Sequence, residues 1–347
     1  MQARTTIRPA QAADDERRDE FVRAHAHGTF FHLAGWRNVI QRFMGHETRD
    51  LLAFHGEDLV GVLPLMSCRG LFGGSQLISM PYAVYGGALG LTAEIEGELV
   101  QHAQRMATQE RVGRLELRYL DDPKLDLVAS DLYHTFIREL PTEIDEVLAR
   151  MPKKARAEAR KARKNHGLEL SEGIWFLDDL IRLFHRNKRA LGSPGLPVGF
   201  FRALPQEFGD RVAVHLVRRG SEPLAAVLSF LYEDTLLAYY SGTAEGADRA
   251  YSASNFMYLG LQEWAVDHGF RYFDFGRSRK DAGAFGFKVR QGFEPQPLNY
   301  RYHLVRDSGL PSLTPSNPKT KVLRDTWSKL PLWLTTKLSD RAARYLP

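Results

Sequence analysis

The densest run of chemistry-bearing side chains is FDFGRSRKDAGAFGFKVRQGFEP (273–295). A strand ends at Gly276, and the loop beyond it carries Arg277, Ser278, Arg279, Lys280, Lys288 and Arg290. Clustered guanidinium and ammonium groups at a strand end suit a phosphate or a carboxylate. Gly276, Gly283 and Gly286 let backbone approach such a ligand closely. Asp274, inside the strand, is a candidate base, although a carboxylate at that place also serves as a structural acceptor. A solvated basic loop is the competing reading, since loop cations are mostly surface.

A second stretch, SMPYAVYGGALG (79–90), sets Tyr82 and Tyr85 around a turn closed by Gly86 and Gly87. As a site it is an aromatic wall beside open backbone; otherwise it is a loop with core tyrosines. A third, MPKKARAEARKARKNHG (151–167), reads as a helix with Pro152 at its first position and Gly167 at its end. Lys153, Arg156, Arg160, Lys161 and Lys164 share one broad face, and Ala155, Ala159 and Ala162 share another. The basic face suits the phosphates of RNA, a nucleotide or an anionic membrane, or is simply solvated. Without aromatic neighbours it would hold a nucleic-acid backbone rather than read bases.

Other chemistries lack their signatures. There is no GxxxxGK[ST], HExxH or GxSxG motif. The histidines are scattered and pair at no metal spacing, so no metal site is expected. Cys68 stands alone, which excludes an internal disulfide or a cysteine cluster and points to a reducing compartment. The N-terminus lacks the apolar core of a signal peptide. The longest apolar stretch, 224–232, is far short of a membrane span. The net charge of +5, from 47 Lys and Arg against 42 Asp and Glu, suits an anionic partner without requiring one. The expectation is a cytoplasmic enzyme.

The elements that must position these groups come in two similar sets. In the first half, 51–66 reads as a hairpin turning at Gly56, 94–111 as a helix, and 114–120 as a strand. In the second, 212–232 reads as a hairpin, 236–242 as a strand, 255–268 as a helix closed by Gly269, and 271–275 as a strand. Leu59–Leu65 and Leu224–Phe230 lie 165 residues apart, and Leu115–Arg118 and Phe273–Gly276 lie 158 apart. Two features recurring at nearly one offset predict a duplicated α/β unit, which the length of 347 residues accommodates. The expected division is 1–150, a basic helical connector at 151–167, a second domain at 168–305, and a tail at 306–347. In the tail, Pro311, Pro315 and Pro318 mark an irregular stretch. An amphipathic segment at 326–346 follows, with Trp327, Leu330, Trp333, Leu334 and Leu338 as its apolar residues and Pro331 starting or kinking the helix. Those apolar residues are expected to dock on the core, with peripheral membrane contact as the alternative.

Four segments resemble one family in content and order: FFHLAGWRNVI (30–40), MPYAVYGGALG (80–90), MPKKARAEARKARKNHGLEL (151–170) and YFDFGRSRKDAGAFGFKVRQGFEPQPLNYRYHLV (272–305). The chain resembles the FemAB-type members of the GNAT superfamily, in particular those encoded with exosortase/PEP-CTERM and exopolysaccharide systems. The resemblance spans Phe30 to Val305, and KLPLWLTTKLSDRAARYLP is similar to the group's C-terminus. It implies an α/β (α+β) fold of two tandem GNAT-like domains facing each other across a cleft. It also implies amide formation on a peptidoglycan or other cell-envelope precursor. In such a reaction an amine attacks an activated carbonyl, and the developing oxyanion needs a donor or positive charge nearby.

By this resemblance Lys288, in Phe287–Lys288…Gly292–Phe293, stands at the lysine that contacts a phosphate or the reacting carbonyl. Tyr85–Gly86–Gly87 stands beside the acceptor site, with Tyr82 shaping it. Arg277 and Ser278 line the cleft, as do Tyr239 and Tyr240. Arg156, Arg160 and Lys164 are the candidates for an anion or RNA. The chain departs from the peptidoglycan-bridge enzymes in having Ala88–Leu89–Gly90 where they carry an acidic residue, and from tRNA users in lacking a long coiled-coil insertion. No [QR]xxGx[GA] pyrophosphate loop is present, and Arg69–Gly–Leu–Phe–Gly–Gly does not fit that spacing.

Three functions follow. The first is a FemAB-like N-acyl or aminoacyl transferase with no tightly bound cofactor. Its donor is aminoacyl-tRNA or acyl-CoA, and its acceptor is an anionic small molecule or a lipid-linked precursor. The second is a CoA-dependent N-acetyltransferase. The third is a non-catalytic scaffold of an export system at the inner membrane surface.

Overall fold

The computed structural model describes residues 4–70, 74–310 and 318–346; Pro311, Pro315 and the middle of the Arg69–Gly74 stretch lie outside them. The elements used below begin with β1 (Thr5–Pro9), α1 (Asp15–Ala24), α2 (Ala34–Met44), β2 (Leu51–His55), β3 (Asp58–Leu63), β4 (Met66–Arg69), β5 (Ser75–Ile78), α3 (Ala93–Gln109), β6 (Arg114–Tyr119) and β7 (Val128–Ser130). They continue with β8 (Ile137–Glu139), α4 (Ile144–Arg150), α5 (Lys153–Asn165), β9 (Leu168–Glu172), α6 (Leu177–Ala190), α7 (Val198–Phe208), β10 (Val212–Arg219), β11 (Glu222–Tyr232) and β12 (Thr235–Thr243). The last are α8 (Ala247–Tyr251), α9 (Ala253–Asp267), β13 (Tyr272–Asp274), α10 (Gly283–Arg290), β14 (Asn299–Leu304), α11 (Pro318–Lys329) and α12 (Leu332–Ala342).

The chain forms two compact units, one of Met1–Leu132, Pro297–Ser312 and Ala342–Pro347, the other of Tyr133–Gln296 and Leu313–Arg341. In the first, β2 and β3 form the expected hairpin, with Gly56 in its turn at φ +61°. β5 and β6 then pair in parallel, joined by α3. Thr92 caps α3 by accepting from the Ile95 N–H, and Glu94 and Glu96 complement the dipole in its first turn. Ile95, Leu99 and Ala103 recur on one face of α3 and bury against Leu51, Leu63, Leu77, Leu115 and Leu117.

The second unit repeats the plan. Its sheet runs β8–β13–β12–β11–β10–β9, antiparallel except for β12 beside β13, which α9 joins. Ala225, Val227 and Ala238 turn one face to Phe256, Met257 and Leu261 of α9. On the other face Tyr240 packs with Phe184 of α6 and with Phe200 and Phe201 of α7, and Phe230 stands beside Tyr240. α5 lays Ala155 and Ala159 beside Leu259 of α9, small residues permitting close approach.

The units exchange a strand. β8 follows β6 in sequence yet pairs with β13 of the second unit, and β14 follows that unit yet pairs with β6 of the first. The boundary expected at 150 and the one expected at 305 therefore both fall inside units. The basic helix is a packed layer of the second unit rather than a connector. A reading in chain order assigns each strand to the elements just before it, and no local feature marks the exchange.

Candidate active site

The candidate site of the second unit is built by two parallel strands that separate. β12 pairs with β11 along its whole length, but with β13 only over Thr235–Leu237 against Tyr272–Asp274. Two local devices cause the parting. On β12, Leu228 opposes Tyr240 and Ser229 opposes Ala238, so Tyr239 is an inserted residue. Such a bulge bends and twists its strand.

On β13, the Asp274 carboxylate accepts from the Gly276 N–H at 2.6 Å and from the Thr135 hydroxyl at 3.2 Å. This side-chain acceptor turns the backbone two residues on. Gly276 meets the turn's demand with φ +63°. Lys288 then reaches back from α10. Its ammonium donates to the carbonyls of Phe275, Gly276 and Arg277 at 2.7, 2.9 and 3.3 Å, with Nζ 5.2 Å from the centre of the Phe136 ring. Burial pushes the Lys288 pKa down to about 7, against the opposing pull of Asp274.

Asp274 and Lys288, read from sequence as catalytic, thus both hold the turn that separates the strands. Asp274 is buried with its carboxylate committed to that turn, and the Lys288 ammonium is directed at backbone. Ser278 is buried in a short pairing with His134. Phe287 packs on Tyr258 of α9, ring centres 5.6 Å apart.

Along the parting, half-buried Tyr239 stands edge-on to Tyr240 at 4.7 Å and tilted against Phe230 at 5.3 Å. Tyr240 belongs to the phenylalanine cluster beneath. Half-buried Arg277 lies over the Tyr133 ring at 4.8 Å. It is close enough to Lys188 of α6 to help depress that lysine's pKa, burial being the larger cause. Lys188 in turn lies over the Phe184 ring at 5.3 Å. Two cations with aromatic walls suit an anionic ligand. Sequence reasoning missed Lys188, which sits in the ordinary basic last turn of α6. It also missed Tyr258, which donates to the Ser241 hydroxyl at 3.3 Å just beyond the parting.

The start of α9 is filled from within. The Asp248 carboxylate accepts from the Ser254 N–H at 2.7 Å and the Ser254 hydroxyl at 2.9 Å. Ser252, at φ +55°, donates to Glu158 at 2.5 Å. On α5, Arg156 is bonded to the Ala149 carbonyl, whereas Arg160 and Lys164 project outward with Lys153, Lys154 and Lys161.

The other sequence candidates lie in the first unit. Met80 and Tyr82 both adopt positive φ, 62° and 59°. The loop is held by side chains from every side. Arg118 donates to the Met80 and Ala83 carbonyls, Trp36 to Pro81, Tyr300 to Val84, and His32 to Gly87. The Tyr82 hydroxyl donates to the Ala343 carbonyl and accepts from His46. Tyr85 is buried beside Phe31. The glycines do not leave backbone open to a ligand: a Cβ on Gly86 would sit 2.7 Å from the Ser79 carbonyl, and one on Gly87 2.3 Å from the Tyr119 ring. Their smallness serves close packing within the protein.

Residues 149–289, spanning the parting, match the family model described as an acetyltransferase (GNAT) domain. No curated protein matches the sequence. Among solved structures the chain is similar to FemX, at a TM-score of 0.62 and 12% identity over 87% of this chain and 98% of that one. It is similar to L-PGS from Bacillus licheniformis, at 0.53 and 13% over 92% and 98%. It is also similar to a tandem GNAT protein from the clavulanic acid biosynthesis pathway, at 0.55 and 13% over 88% and 100%. At these identities the likeness defines the fold alone, a mixed α/β fold similar to that of FemX and of the tandem GNAT protein.

Proposed function

We propose that the protein is an N-acyltransferase of the aminoacyl type, forming an amide on an anionic cell-envelope or polysaccharide precursor. The observation that carries this reading is the parting of β12 from β13 beside Arg277 and Lys188. A strand edge released from its neighbour presents backbone amides to an extended acyl group and to the oxygen that becomes negative in the transition state. The amine nitrogen bonds to the ester or thioester carbonyl carbon. The alcohol or thiol of the carrier leaves, taking the proton that the amine loses. Arg277 and Lys188 hold the anionic group of the carrier or acceptor, and Tyr239 walls the acyl group. Asp274 and Lys288 act by keeping the strands apart. The similarity to FemX and L-PGS supports the fold on which this reading stands, and the envelope acceptor rests on the family resemblance. The tie to exosortase/PEP-CTERM systems rests on the family resemblance.

The GNAT family model favours a second reading, a CoA-dependent N-acetyltransferase. Asp248 weighs against it. A helix start is a ready phosphate site, and here a carboxylate of the chain already takes the Ser254 N–H. The exposed cations of α5 suit a polyanionic carrier such as tRNA.

The test is a thermal-shift panel with acetyl-CoA, longer acyl-CoAs, aminoacyl-tRNA and UDP-sugar precursors, repeated with Arg277→Ala. A ligand that binds the native state raises its midpoint. An Arg277-dependent shift with aminoacyl-tRNA or a UDP-sugar supports the proposal. A shift confined to CoA thioesters transfers it to the second reading.

A further inference from the structure

The C-terminal arm of the second unit is attached by its polar side. Thr335 and Ser339 are its buried residues on α12, and the Ser339 hydroxyl accepts from the Gly195 N–H at 2.9 Å. Asp340 accepts from the Val198 N–H at the start of α7. Arg324 of α11 covers Gly192, at the end of α6. Of the apolar residues expected to dock on the core, Trp327, Leu330 and Leu334 are half-buried, whereas Trp333 and Leu338 are exposed. Trp333 is 68% exposed, and Val322 and Leu323 of α11 are 71% and 69% exposed. Leu338 is exposed as well, and so is Leu191, next to the Gly192 that Arg324 covers. At 100° per residue, Trp333, Lys337 and Arg341 form one stripe opposite Thr335 and Ser339.

We propose that this arm is a docking surface for an anionic lipid bilayer. Three observations select that occupant. The apolar residues alternate with cations, and among the described residues Lys329, Lys337 and Arg341 have no carboxylate partner. Protein interfaces deplete lysine from their centres, whereas interfacial helices combine tryptophan and leucine with lysine and arginine. Among the described residues, no helix is long and apolar enough to cross a membrane, so contact is at the surface. The arm packs on α6, on the sheet face opposite α9 and α5, so docking leaves the basic face of α5 free. Trp333, Val322 and Leu323 enter the headgroup boundary while Lys329, Lys337 and Arg341 meet lipid phosphates.

The experiment is flotation of the full chain with vesicles of phosphatidylcholine alone and of phosphatidylcholine containing one quarter phosphatidylglycerol. Three variants accompany it: Trp333→Ser, the pair Val322→Ser with Leu323→Ser, and Lys337→Glu. All the substituted residues are exposed, and circular dichroism checks that each variant folds. Binding to the anionic vesicles is expected to exceed that to neutral ones by about tenfold and to weaken with salt. Each apolar variant is expected to lose about tenfold, and Lys337→Glu to reduce the preference for anionic lipid. Equal recovery with and without anionic vesicles overturns the proposal, as does flotation of all variants like the parent. Trp333-dependent dimerisation without flotation overturns it too, assigning the face to a second copy. The readout involves no turnover, so it stands or falls apart from the choice of donor.

Discussion

Asp274 and Lys288 grip the same turn from opposite ends: the carboxylate takes the Gly276 N–H, and the ammonium takes the carbonyls of Phe275, Gly276 and Arg277. One residue satisfies the donor and the other the acceptors of a backbone segment that has left its sheet. Buried backbone groups need such partners. The arrangement makes the strand parting a built feature, held by the chain's own side chains.

Lys288→Met is expected to destabilise the second unit by about 2–4 kcal/mol, since two buried carbonyls and one half-buried carbonyl lose their donor. Activity falls with it, because the turn carrying Arg277 relaxes. Urea unfolding of both proteins, with turnover measured well below the midpoint, checks this. A Lys288→Met variant of native stability that is nevertheless inactive would return the lysine to direct catalysis.

The same lysine sets a pH dependence. Its folded pKa is about 7, against an ordinary value of 10.5. Between those limits the unfolded chain binds a proton that the folded chain does not, so stability rises with pH across the window. Below about 7 both states are protonated and the slope vanishes. The stability of the parent relative to Lys288→Met is therefore expected to grow from pH 7 to pH 10. Denaturation midpoints that run parallel across that range would contradict it.

Arg277→Ala and Lys188→Ala are expected to leave the melting temperature nearly unchanged. Each should weaken an anionic ligand about tenfold, the worth of one charge-assisted hydrogen bond. Because Arg277 raises the cost of the Lys188 charge, removing either cation lets the survivor hold the anion better, and the double variant is expected to lose more than the sum of the singles. Titration calorimetry on all four proteins tests this, and full additivity would mean that the two do not share a ligand.

The architecture was readable because its signals are local. Gly56 in a hairpin turn, Ile95 and Leu99 at helical spacing, and Gly269 closing α9 each report on their own few residues. What stayed hidden depends on partners distant in sequence. β8 belongs to the second unit and β14 to the first, because each finds its pairing partner far away in sequence. The bulge at Tyr239 exists only relative to Leu228 and Ser229 of β11. The resemblance sets Lys288 at a phosphate or the reacting carbonyl, whereas its ammonium meets the backbone carbonyls of the turn that Asp274 makes, a partner that only the fold brings to it. The tail's apolar periodicity was visible, yet the buried residues of α12 are Thr335 and Ser339, with Ser339 accepting from the Gly195 N–H and Asp340 from the Val198 N–H.

Gly87→Ala is expected to lower the stability of the first unit by about 1–3 kcal/mol or more, since the new Cβ would overlap the Tyr119 ring at 2.3 Å. Tyr119 cannot swing away freely, because its hydroxyl accepts from the Ala88 N–H. If the variant melts like the parent, the loop is looser than its hydrogen bonds imply.

Acid should unfold this protein through its buried histidines. Burial pushes His32 down to about 3 and His46 and His215 to about 4, from 6.5. These groups fold neutral, so their stabilising state is fully present above pH 6.5 and is lost as pH falls toward the folded values. In that window each steepens the loss by about 1.4 kcal/mol per pH unit. His215 is the clearest case: it is fully buried, edge-on to Trp264 at 4.8 Å, and neither ring nitrogen has a hydrogen-bond partner among the described residues. His32, by contrast, is bonded to the Gly87 carbonyl and the Thr29 N–H. His215→Phe removes a titrating group and no hydrogen bond. It is therefore expected to match the parent near pH 8 and exceed its stability at pH 5. Removing His32 should weaken the protein at both. Equal acid slopes for the parent and His215→Phe would show that His215 takes up its proton in the folded state as readily as in the unfolded one and that acid lability arises elsewhere.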